Sequence, residues 1–252
     1  MKITKISKIG DDKYKIYFDN GDSLVTFDDV ILKYRLVFGK EINDLENISN
    51  DTNIDNIYFK IVKKISRRMM SKSEVEKYID KLEITSYQKE KIIDKLILNK
   101  LIDDLRLSKA FVYDRFNLSS DGPYEIRKKL DNLGVDSKYI DEAMSTIKYS
   151  DVISKLERLI KKKISLNTKY SGYFLKQKLI THFVNLGYDT SDIIDLFEKN
   201  KTENNTIKKA YDMAFKKLNK KFSGDELSYK IKDNLYKHGY SIEEINEVLK
   251  NE

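Results

Sequence analysis

The chain has no cysteine, one proline and nine glycines among 252 residues. Without cysteine there can be no disulfide and no thiolate metal site, and the composition fits a reducing, cytoplasmic setting. Scarce proline and glycine remove the main helix breakers, and abundant Lys, Glu, Ile and Leu favour helix. Long apolar runs are also missing. The longest, as at Leu96-Ile97-Leu98, extend only a few residues, so no membrane span is expected. The chain opens without a charged-then-apolar leader, so secretion is not expected either. There is no glycine-rich phosphate loop. The only two histidines, His182 and His238, are far apart in sequence and read as surface or helix-end residues rather than metal ligands. No nucleophile comes with a base and an orienting group, so neither an enzyme nor a cofactor is expected.

Charge is plentiful and unevenly placed. The net charge is +7 overall, −3 over residues 1–57 and +5 over each of 58–150 and 151–252. A basic body behind a mildly acidic start suits an anionic partner, either nucleic acid or an acidic protein surface.

A repeat is legible around three glycines. Leu130-Asp131-Asn132-Leu133-Gly134, followed by Ile140, matches Phe183-Val184-Asn185-Leu186-Gly187 with Ile193 and Leu235-Tyr236-Lys237-His238-Gly239 with Ile245. An earlier copy aligns through Leu82, Ser86 and Ile92. Eight residues before each anchor stand Tyr78, Ile126, Leu179 and Ile231, and the anchors are 48, 53 and 52 residues apart. A period near 50 with one supersecondary unit per copy marks a stacked array.

The clearest copy reads as three helices, from about Leu105 to Phe116, Pro123 to Leu133 and Lys138 to Ile147. Asp103-Asp104 suits a helix N-terminus better than a metal, because adjacent helical residues point about 100° apart. Pro123 takes the first helical position, and Gly134 the left-handed position after the helix. The opening helices carry apolar stripes, such as Ile57, Ile61 and Ile65, or Val152, Leu156 and Ile160. Most tyrosines, Tyr188 and Tyr240 among them, fall where packing explains them.

Before the repeats, Tyr14, Ile16 and Phe18 alternate into an Asp19-Asn20-Gly21-Asp22 hairpin signal, and a less regular strand covers Ile3–Ile9. Asp28-Asp29 should cap a helix running to about Val37, and the Asn-, Asp- and Ser-rich residues 43–55 read as a linker or a short capping segment. The expected fold is mainly α: an elongated array of four tri-helical, helix-turn-helix-like repeats behind a small N-terminal region with a β-hairpin. The boundaries fall at 1–55, 56–100, 101–149, 150–202 and 203–252.

The polar faces of the helices are basic. The first repeat has Lys60, Lys63, Lys64, Arg67 and Arg68; the second has Arg106, Lys109, Arg115 and Arg127. The third has Lys155, Arg158 and Lys162, and the fourth has lysine pairs such as Lys216-Lys217. Stacked equivalent helices would line these charges along one surface. By residues alone, that surface could serve a protein partner, sequence-independent DNA binding or a generic adaptor role.

Residues 101–143 resemble the bacterial RecX regulatory proteins. The pattern is carried by Leu101-Ile102-Asp103-Asp104, Phe111-Val112, Arg115, Gly122, Ile126, Leu130 and Gly134-Val135, and upstream by Arg67-Arg68, Ser73-Glu74 and Glu76. Leu107-Ser108 departs from the aromatic-Ala pair usual there. At the level of pattern the resemblance covers about residues 55–250. It implies a protein that lies in the groove of the RecA recombinase filament and modulates recombination and repair, most often as an inhibitor. A monomer is expected, and the basic face makes single- or double-stranded DNA the competing partner. The residues themselves, rather than the resemblance, make the basic face the expected partner-binding set; within it Arg115 matches an arginine of the family pattern.

Overall fold

The computed structural model describes residues 1–200 and 206–250; the boundary expected at 202/203 lies outside them. The chain divides into two compact units, Met1–Leu107 with Leu133–Asp136, and the remainder from Ser108 onward. Among the described residues no strand follows Phe27, and no helix is long and apolar enough to cross a membrane.

The first unit begins with an antiparallel sheet of β1 (Ile3–Lys8), β2 (Lys13–Phe18) and β3 (Ser23–Phe27), with β2 in the centre. The irregular spacing of Ile3 and Ile6 has a cause. The register shifts between Ile3 and Lys5, so Ile3 pairs with Phe18 while Ile6 pairs with Ile16. One extra residue thus restores both isoleucines to the buried face. Gly21, at φ 88°, closes the β2–β3 hairpin. Helix α1 (Asp28–Tyr34) ends earlier than the sequence suggests: Arg35 adopts φ 47° and the Leu36 N–H returns to Ile31 O at 2.9 Å. That left-handed stop turns the chain so that Leu36 enters the core beside Ile3 and Ile16.

Residues 43–55 are not a linker. They form the first half of α2 (Leu45–Ile65), and Asp44 caps it by accepting from Asn47 N–H. Ile48, Thr52, Ile54, Ile57, Tyr58 and Ile61 all turn inward. Thr52 and Thr26 share a buried hydroxyl hydrogen bond of 2.7 Å, and Phe27 stacks on Phe59 with centroids 4.7 Å apart. Burial against the sheet overrides a composition that favours loop. The boundary expected at residue 55 therefore lies inside a continuous helix.

Helices α3 (Lys72–Ile79) and α4 (Ser86–Leu98) complete the first helical trio. Its alignment needs a correction. The fully buried pair is Val75 and Ile79, not Tyr78 and Leu82. Ser86 opens α4 behind the N-cap Thr85, so it is no counterpart of the glycines that follow a helix.

The second unit contains α6 (Pro123–Asn132), α7 (Ser137–Met144), α8 (Tyr149–Ser165), α9 (Gly172–Asn185), α10 (Thr190–Asn200), α11 (Thr206–Leu218), α12 (Gly224–Lys237) and α13 (Ile242–Lys250), and most of α5 (Asp104–Leu118). Asp103 caps α5, accepting from Arg106 N–H at 2.8 Å. Ile126, Leu130, Leu179, Phe183, Ile231 and Leu235 are all buried, and so are the post-glycine tyrosines Tyr188 and Tyr240.

One joint recurs. Gly134, Gly187 and Gly239 all have positive φ, 71°, 86° and 87°, and the carbonyl just before each accepts from the start of a preceding middle helix. Within the first unit Ser71 Oγ donates to Leu133 O at 2.5 Å. Within the second, Gly122 N–H donates to Leu186 O at 2.6 Å and Ser171 N–H to His238 O at 3.1 Å. In the second unit unfilled carbonyls at one helix end thus meet unfilled N–H groups at another, with the dipoles in favourable order, and in the first unit the N-cap hydroxyl of Ser71 takes the place of the N–H.

Candidate functional site

The basic residues divide sharply once their neighbours are known. On α2 and just after it, Lys60, Lys63 and Arg67 are exposed, and none forms an ion pair among the described residues. The Lys64 ammonium lies 3.8 Å from the centroid of the Tyr78 ring. Arg68 is committed to the architecture. Its guanidinium makes a bidentate contact with Glu74, at 2.9 and 3.2 Å, and Glu74 in turn accepts from Ser71 N–H in the capping box that starts α3. Burial raises the Glu74 carboxyl, but Arg68 and the Ser71 amide together hold it below its ordinary value.

In the second trio Arg106 is exposed on α5. The others have local partners: Lys109 reaches Glu142 at 2.7 Å, and Arg127 pairs with Asp141. Arg115 stands 4.0 Å from Asp121 and over the Phe111 ring. Asp121 is nearly buried and also receives Lys129 at 2.7 Å. Burial raises its carboxyl, while Lys129, Ser119 and Arg115 bring it net below the usual range.

Lys155 does not belong to a surface set. It is 8% exposed, and its ammonium donates to Phe116 O at 2.7 Å and Asp121 O at 2.8 Å. It fastens α8 to the end of α5 and the loop after it. Burial lowers its pKa to about 8 against the pull of Asp121, with Arg158 adding to the fall. The sequence places Lys155 on the α8 surface because lysines are rarely buried; the carbonyls of Phe116 and Asp121, one near the end of α5 and one in the loop after it, are what make this one an exception. Arg158 and Lys162 remain exposed on α8. Of the histidines, His238 Nδ1 contacts Asn234 O at a helix end, and His182 lies edge-on to Phe183 with its pKa lowered by burial and Lys163.

The uncompensated charges are therefore fewer than the sequence suggests. Lys60, Lys63 and Arg67 gather at the end of α2, Arg106 is on α5, and Arg158 and Lys162 lie on α8. A basic group outside the helices escaped the sequence reading. The alternation that puts Ile16 and Phe18 inside puts Lys13, Lys15 and Tyr17 on the opposite face of the sheet. The polar half of the strand alternation carries that signal.

The architecture defines a class: a mainly α protein built from three-helix units with a small N-terminal sheet. Residues 103–144 match the family model described as RecX, second three-helix domain. The Streptococcus agalactiae serotype V "Regulatory protein RecX" is 30% identical over 266 residues, covering 99% of each chain. That of Oceanobacillus iheyensis is 29% identical over 263 residues, covering 98% of this chain and 97% of its own. A solved structure titled "Crystal structure of regulatory protein RecX" superposes with TM-score 0.59 at 19% identity, covering 100% of this chain and 99% of that one. The chain belongs to the RecX family of regulatory proteins.

Proposed function

We propose that this protein binds the RecA recombinase filament along its groove and lowers its ATPase and strand-exchange activity. The observation that carries the reading is membership of the RecX family over essentially the whole chain. The exposed, unpaired Lys60, Lys63 and Arg67 suit an acidic partner surface, and Arg106, Arg158 and Lys162 extend that chemistry to later helices. Exposed charges of this kind contribute more to encounter and specificity than to folding. In this reading Lys109, Arg115 and Arg127 contribute through exchange of partners, since each is already paired.

Co-sedimentation with RecA filaments assembled on single-stranded DNA tests the proposal. The protein should pellet with filaments and stay in the supernatant with RecA alone. Pelleting with bare DNA to the same extent would replace filament recognition with direct DNA binding.

A further inference from the structure

The N-terminal sheet has one face on the core; its other face is covered at Phe27, which stacks on Phe59, and open beyond it, and that open part has an unusual make-up. Residues two apart on a strand share a face. Ile16 and Phe18 are buried, so Lys13, Lys15 and Tyr17 project the other way. Register places Lys5 opposite Tyr17, and Ser7 and Val25 on either side of Lys15. The Lys5 and Lys15 ammonium groups lie 5.7 and 5.1 Å from the centroid of the Tyr17 ring. Lys13 stands 5.4 Å from that of Phe27. Val25 is 42% exposed.

Two ordinary explanations do not cover the group. Lysines often protect the edges of sheets from pairing, which suits Lys5 on the edge strand β1, but Lys13 and Lys15 are on β2, the central strand. Lysines also commonly answer acids, but Lys5, Lys13 and Lys15 have no ion pair among the described residues. Asp19 and Asp22 are engaged at the sheet end, where Asp19 accepts from Lys2 N–H and Asp22 from the Asn20 amide, and Asp11 and Asp12 lie in the β1–β2 turn. What remains is two cations over the Tyr17 ring, with a third, Lys13, further along the same face of β2.

We propose that this face binds single-stranded nucleic acid without sequence preference, a base stacking on Tyr17 while Lys5, Lys13 and Lys15 take the flanking phosphates. The ammonium groups now over the ring swing outward to the backbone as the base replaces them. Any base offers a π-face, so such a platform is sequence-tolerant, whereas a duplex keeps its bases out of reach. This inference needs neither the filament nor the helical basic residues.

The chain has no tryptophan, so Tyr17→Trp places a single fluorophore on the platform. Its emission should fall when an oligodeoxythymidylate is added to the full-length variant, and should hold steady with duplex DNA or polyglutamate. In the otherwise natural protein, Tyr17→Leu should weaken single-strand binding about tenfold by anisotropy. Replacing Lys5, Lys13 and Lys15 together by Gln should flatten the salt dependence by about two in log–log slope. Reversing Lys60, Lys63 and Arg67 to Glu should leave the Trp signal intact. Unchanged emission while anisotropy reports strand binding would overturn the proposal by placing the strand elsewhere. Equal quenching by duplex would reduce the face to a non-specific cation patch, and equal quenching by polyglutamate would make it a site for an acidic protein.

Discussion

The amide of Gly122 donates to the carbonyl of Leu186 at 2.6 Å, and the amide of Tyr124 to the carbonyl of Gly187 at 3.1 Å. These two bonds join the start of α6 to the end of α9. They leave no room for a side chain on Gly187, whose added Cβ would overlap the Glu125 amide nitrogen. The conformation and the contact therefore both demand glycine.

Gly187→Ala should be far more harmful than Gly21→Ala. Both glycines have positive φ, but nothing lies within 4 Å of a Cβ on Gly21. Gly21→Ala should cost about 1 kcal/mol from backbone conformation alone. Gly187→Ala adds steric displacement of a backbone joint, typically about 1–3 kcal/mol more. Urea unfolding of the two variants measures the difference; equal costs would remove the joint from the account.

Stability should rise with pH above about 8, the value to which burial lowers Lys155. Between there and its unfolded value of about 10.4, the folded chain binds fewer protons at Lys155 than the unfolded chain. Stability then increases with pH, because deprotonation removes the burden of a buried charge. Lys155→Met should flatten that rise. It should also cost about 1–3 kcal/mol at pH 7, because the Phe116 carbonyl loses its lysine donor and Asp121 O keeps only the long 3.4 Å bond from the Tyr188 hydroxyl. Denaturant midpoints from pH 7 to 10 provide the check; identical slopes in both proteins would contradict it.

Much of this was legible in the sequence. Gly134, Gly187 and Gly239 stood out because a helix stop by a left-handed residue has few chemical solutions, and Pro123 marked a helix start for a similar reason. The first half of α2 was not legible, since Asn, Asp and Ser favour loops locally and only the sheet packed against them makes them helical. Lys155 and the Arg68–Glu74 contact were also hidden. Whether a charge faces solvent depends on which carbonyl or carboxylate the fold brings to it, and no spacing rule reports that.

The basic residues should separate into two groups by mutation. Reversing Lys60, Lys63 and Arg67 to Glu should weaken filament binding with unfolding midpoints unchanged, because exposed unpaired charges contribute little to folding. Arg68→Glu should lower stability, because it sets a second carboxylate beside Glu74 in the capping box of α3. Thermal melts alongside filament co-sedimentation measure both effects. Unchanged binding by the triple reversal would leave the end of α2 as a solvated surface.

The central claim is action on the assembled filament, and the rate of RecA-driven ATP hydrolysis on single-stranded DNA tests it most directly. A protein seated in the filament groove works on a polymer, so hydrolysis should slow when this protein is present far below one copy per nucleotide. Inhibition that appears only once the free DNA is coated would contradict the account, because it would show competition for the lattice rather than regulation of the filament.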